Sequence, residues 1–159
     1  MRVFLGSDHA GFELKQLLLD HVRSLGHEPV DCGPPAYDAE DDYPPYVLRA
    51  AAAVAGEPGS AGIVIGGSGN GEAIAANKVR GVRCGLAFSD DTARLTREHN
   101  NANVLSLGAR MYDESVALRY AEIFLSTPFS DEARHVRRIA QLSSYEDSGE
   151  LPPLPGDAG

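Results

Sequence analysis

Five times along the chain a short apolar run, rich in β-branched residues, closes at or near Gly, Ser or Asp and gives way to a longer segment with helical spacing. The runs at 2–6, 27–31, 62–66, 82–88 and 103–107 are predicted strands. Several are apolar throughout, the pattern of strands covered on both faces. Helices are predicted at 11–25, stopped by Gly26, and at 43–55, 71–78, 90–100 and 113–125, with a sixth at 131–145 capped by Ser130. Strands alternating with helices pair in parallel through crossovers that place helices on both faces. The expected fold is α/β, a three-layer αβα, Rossmann-like open sheet of five parallel strands.

A chain of 159 residues, 43% hydrophobic, buries one core and hardly two. One domain over residues 1–147 is expected, followed by a Pro-rich, extended tail at 148–159 whose PPLPG run has too little apolar content to pack alone. The net charge of -9 argues against nucleic-acid and acidic-membrane partners, so an anionic ligand must be met by local groups. Cys32 and Cys84 are far apart and lack CxxC spacing, which suggests neither a disulfide framework nor a zinc site and suits a reducing cytosol. The opening MRVFLGSDHAG is too short in apolar residues for a signal peptide, and no stretch reaches about 18 apolar residues. A cytoplasmic protein without a membrane span is expected.

In such sheets ligands sit beyond the carboxyl ends of the strands where strand order reverses, commonly between the first and third strands. Those two ends are the polar, glycine-rich ones: Ser7-Asp8-His9-Ala10-Gly11 and Gly66-Gly67-Ser68-Gly69-Asn70-Gly71-Glu72. The second places four glycines among six residues at a helix start, where unpaired N–H groups and the helix dipole favour an anion. It is not a Walker loop, because no GK[ST] follows, and Glu72 stands where a dinucleotide fingerprint needs its last glycine. On spacing alone, a tight strand-to-helix turn accounts for the loop equally well.

The ordered motifs GSDHAG, DDYP, GGSGNGEAIAANKVRGVRC, REHNNANVLSLGAR and RHVRRI resemble the type B ribose-5-phosphate isomerases, within a family that also contains allose- and galactose-6-phosphate isomerases. The resemblance spans nearly the whole chain, about 1–145. It implies an aldose–ketose isomerase of the pentose phosphate pathway with a sugar-phosphate substrate, no cofactor and no metal. Many members carry a cysteine base where this chain has Gly66; a second subgroup resembles this chain in having GGSGNGE, which implies Glu72 as the base. Moving a proton between C2 and C1 requires a carboxylate that reaches both carbons on one face of an enediolate, with preorganised donors for the oxyanion; Gly67, Ser68, Gly69, Asn70 and Gly71 offer such donors. Taken alone, Glu72 is also suited to serving only the helix dipole.

Asp8 either binds sugar hydroxyls and assists ring opening, as the resemblance implies, or caps the first helix. The resemblance assigns His9, Arg110, Arg134 and Arg138 to the phosphate and Tyr43 and Asn100 to the substrate. The residue-level alternatives are a polar loop histidine, a solvated basic face and a core aromatic. Arg134 and Arg138 are four apart and share a helix face. His99 falls near the end of the fourth helix, which starts at the carboxyl edge and runs away from it for roughly 15 Å. It reaches Asp8 and Glu72 only from a second subunit, which predicts a homodimer with shared sites, alone or paired into a tetramer. Its alternative role is to interact with its own helix C-terminus. The resemblance gives His99 a part in ring opening. A six-carbon aldose 6-phosphate and a nucleotide- or flavin-binding role are the rival functions. A phosphoacceptor domain is disfavoured because the third strand ends in Gly66 rather than aspartate.

Overall fold

The computed structural model describes residues 1–154. Five strands, β1 (Arg2–Ser7), β2 (Glu28–Asp31), β3 (Ala61–Gly66), β4 (Cys84–Leu86) and β5 (Val104–Gly108), form one parallel sheet in the order β2-β1-β3-β5-β4. Six helices alternate with and follow them: α1 (Phe12–Ser24), α2 (Pro44–Gly56), α3 (Asn70–Ala76), α4 (Asp90–Asn100), α5 (Glu114–Ser126) and α6 (Ala133–Ser148). The predicted α/β class and five parallel strands are present. Growth of the sheet reverses between β1 and β3, the position beyond whose carboxyl ends sheets of this kind take their ligands.

Alternation along β1 explains the three layers. Val3 and Leu5 face α1, α4 and α5, meeting Leu14, Leu18, Ala93 and Phe124, while Phe4 faces α2 and α3, meeting Val47, Ala50 and Ala76. Both faces are dry, which is why the central strands read as unbroken apolar runs. Lys15 is fully buried in this core, and its Nζ donates to Asp31 Oδ1 at 2.5 Å and to the Pro34 carbonyl at 3.0 Å, tying α1 to the end of β2. No helix among the described residues is long and apolar enough to cross a membrane.

Three predicted boundaries differ for identifiable reasons. β4 is only three residues long rather than 82–88, because Val82 N–H turns back to the Val79 carbonyl and Phe88 N–H bonds Thr92 Oγ1, which belongs to the capping box of α4. α3 stops at Ala76 rather than residue 78: the Asn77 amide exchanges hydrogen bonds with the Cys84 main chain at 2.8 and 2.9 Å, pinning the helix end to β4. α6 begins at Ala133 with Glu132 in the cap position and no side-chain cap, because Asp131 adopts a left-handed φ of 54°. Ser130 instead accepts from Glu132 N–H and bonds the His135 ring. α6 continues to Ser148, so the expected tail starts later, after Gly149 at φ 74°; residues 150–154 carry no regular structure, and the predicted extension over 155–159 lies outside the described residues.

α6 is laid outside the three layers. His135 is its single buried residue; just before the helix Ser130 N–H donates to the Glu98 carbonyl of α4, and near its far end Glu146 and Asp147 accept from Gly81 N–H and Arg80.

Candidate active site

At the end of β1 the chain turns sharply through His9–Gly11, and Asp8 caps that turn: Oδ1 accepts from Ala10 N–H at 3.0 Å and Gly11 N–H at 3.3 Å. Capping therefore occupies one oxygen of a carboxylate that is itself buried. The His9 ring bonds Asp41 from the segment before α2.

Beyond β3 the glycine loop is held from the side of β5. Ala109 N–H donates to the Gly66 carbonyl at 2.8 Å, Arg110 N–H to the Gly67 carbonyl at 3.0 Å, and Ser106 Oγ to the Gly69 carbonyl at 2.7 Å. Gly69 stands at φ 80°, a left-handed conformation that lets the chain swing directly into α3. Arg110 reaches the same loop, with its guanidinium 3.4 Å from where a Cβ at Gly67 would lie. The Tyr43 ring covers the head of α3, 2.8 Å from where a Cβ at Gly71 would lie.

Glu72, in the first turn of α3, does not point to solvent. It is 4% exposed, and its carboxylate lies across the Cα of Gly66: a Cβ there would sit 1.8 Å from Oε1. Burial, opposed by a bond to its own main-chain N–H and reinforced by nearby Asp8, raises its pKa above the ordinary carboxylate range. Such a carboxylate can hold and release a proton nearer neutral pH than an exposed one.

The sequence pattern of the ribose/galactose isomerase family matches residues 3–142. The chain belongs to that family. It is 55% identical over 156 residues to ribose-5-phosphate isomerase B of Mycobacterium tuberculosis, covering 98% of this chain and 96% of that one. The corresponding protein of Mycolicibacterium paratuberculosis is 54% identical over the full length of both. Among solved structures, ribose-5-phosphate isomerase B of Mycoplasma genitalium with bound ribulose-5-phosphate matches with a TM-score of 0.89 at 39% identity, covering 92% of this chain and 97% of that one. The type B enzyme of Trypanosoma cruzi matches with a TM-score of 0.89 at 40% identity, covering 94% and 98%.

Family membership gives the residue placements their interest. Asp8, Tyr43, Gly67, Ser68, Gly69, Asn70, Gly71, Glu72 and Arg110 gather around the carboxyl edge between β1 and β3, with His9 following Asp8 there. His99, Asn100, Arg134 and Arg138 do not join them. The end of α4 lies at the opposite edge, where the Asn100 and Asn101 carbonyls accept from Arg83 and Asn103 leads into β5. There the His99 ring stacks on His135, centroids 4.3 Å apart and planes 30° apart. Arg134 pairs with Glu132 at 2.8 Å, and Arg138 lies exposed beside Leu142, Tyr145 and Leu151.

Sequence reasoning missed Asp41 and His135. Both stand inside motifs, DDYP and RHVRRI, but no spacing rule pairs Asp41 with His9, and His135 is hidden among arginines. The two cysteines are poor nucleophiles: burial raises the Cys32 thiol and pushes Cys84 up to about 12, which disfavours the thiolate.

Proposed function

We propose that the chain interconverts ribose 5-phosphate and ribulose 5-phosphate, with Glu72 carrying the proton between C2 and C1. The observation that carries the reading is the Glu72 carboxylate, buried at the head of α3 over Gly66 with its pKa raised. The names of relatives matching nearly the whole chain support the substrate.

The reaction begins with the furanose ring. His99 of a second chain gives a proton to the ring oxygen as the C1–O bond breaks, and Asp8 takes the proton of the C1 hydroxyl. Glu72 then removes the C2 hydrogen, and the electron pair passes through C1 to its oxygen, forming a cis-enediolate. N–H groups along Gly67 to Gly71 stabilise that charge without reorganising. As the C1 oxygen gains a proton and the C2 hydroxyl loses one, Glu72 returns its proton to C1, giving the ketose. His9, Arg110, Arg134 and Arg138 hold the phosphate; Arg recognition of phosphate is bidentate and charge-assisted. Tyr43 and Asn100 line the sugar.

Glu72 and a cysteine base at position 66 are alternatives for one space: any side chain at residue 66 would overlap the Glu72 carboxylate. Gly66 is therefore part of the glutamate-base design.

The site is shared between two chains. His99 and the α6 arginines stand away from Glu72, and Ile74, Phe88 and Met111, on α3 and just beyond β4 and β5, leave apolar side chains exposed, as a surface for a second copy would. Isomerisation of ribose 5-phosphate and of allose and galactose 6-phosphates, measured with EDTA present for wild type and Glu72→Gln, tests the reading. Turnover of the five-carbon sugar that is lost in the variant is expected. Undiminished turnover by Glu72→Gln removes the base, and a preference for a six-carbon sugar removes the substrate.

A further inference from the structure

The His9 imidazole is clamped from a distant segment of the chain. Asp41, 32 residues away, uses one oxygen, Oδ1, to accept from the His9 main-chain N–H at 2.8 Å and to bond ring Nδ1 at 2.9 Å. The Asp41 side chain is 5% exposed, and its second oxygen, Oδ2, is buried with no hydrogen-bond partner. Tyr37 packs edge-on against the His9 ring, centroids 6.4 Å apart, from the same segment.

Each feature limits what the ring can do. An ionised carboxylate only accepts, so Nδ1 carries the hydrogen, and Nε2 is the nitrogen left for a ligand. Because one oxygen holds both ring and main chain, the imidazole cannot rotate without losing its anchor. The charged groups facing it are Asp41 and Asp8; the hydrogen bond to Asp41 raises the His9 pKa most, desolvation opposes it, and the Asp8 charge adds to the rise. Main-chain anchoring by itself would be served by asparagine, without burying an unpaired anionic oxygen.

We infer that Asp41 is a positioning residue for phosphate recognition: it fixes the His9 ring with Nε2–H free for the phosphate and keeps a carboxylate against that ring. The inference rests on the reading of His9 as a phosphate ligand.

Asp41→Asn keeps an acceptor oxygen and removes the charge, so it separates the two functions of the clamp. The His9 ring titration, followed by 1H–15N NMR, is expected to move down in Asp41→Asn. KM for ribose 5-phosphate should rise by about tenfold at pH values between the two midpoints, with kcat changed less than about twofold. An unmoved His9 titration overturns the inference whatever the activity does. A KM increase equal at every pH also overturns it, since a merely structural role would have that effect. If His9→Gln keeps the wild-type KM while Asp41→Asn still shifts the ring titration, the phosphate role of His9 falls and this inference with it, whereas the Glu72 chemistry stands.

Discussion

Glu72 and Asp8 at the carboxyl edge are 4% and 9% exposed and held by main-chain groups of their own loops, whereas on the α4–α6 face Asn100, Arg134 and Arg138 extend into solvent. The first region is finished within one chain. The second offers long, exposed cationic side chains, of which Arg134 pairs with its neighbour Glu132. The proposed reaction gives the division a chemical reason: a carbon-acid base must be desolvated and aimed before substrate arrives, while phosphate binding tolerates groups that close afterwards.

The largest effect should come from the finished region. Glu72→Gln is expected to lower kcat by about a thousandfold or more while raising the thermal midpoint at neutral pH. The sign follows from linkage. The folded chain holds the Glu72 proton more tightly than the unfolded chain, so ionised Glu72 opposes folding once pH rises through its elevated pKa. That stability difference should vanish at pH below the ordinary carboxylate range. A variant less stable than wild type at neutral pH would contradict the burial argument.

Gly66→Ala tests the same region by geometry. Its Cβ would meet the Glu72 carboxylate, and a displacement of about 1 Å predicts a loss of about a hundredfold in kcat with the fold intact by circular dichroism.

On the unfinished face, Arg134→Ala and Arg138→Ala should each raise KM by about tenfold to a hundredfold with kcat less affected, the value of a charge-assisted hydrogen bond. An equal fall in kcat would mean that this face takes part in the proton step. A smaller effect concerns pH. The acid limb of kcat/KM should lie above the usual carboxylate range, and Asp8→Asn should move what activity remains toward lower pH, because one charge raising Glu72 is gone. Smallest of all, Cys32→Ser and Cys84→Ser should change kcat by less than about twofold.

The two regions also differ in how far sequence exposes them. The β1 and β3 ends are legible because an apolar run that closes on a polar, glycine-rich turn marks both the end of a buried strand and a backbone free to approach a ligand. Helix length alone puts His99 at the far edge, and α4 spans the predicted residues 90–100. What escapes sequence depends on contacts across the chain: Asn77 reaching β4, Asp131 breaking the start of α6, and Asp41 holding His9. The overlap between Glu72 and residue 66 is equally hidden, since it follows from a side-chain direction and not from spacing.

Mixing inactive chains tests most directly whether the two regions belong to one shared site. If the chain is the proposed homodimer, Glu72→Gln and His99→Asn proteins, each purified and then co-refolded in equal amounts, give mixed dimers in which one site carries both lesions and the other carries neither. Recovery of about a quarter of wild-type turnover is predicted for random pairing. No recovery, with mixed dimers demonstrated by mass, would contradict a site built from two chains.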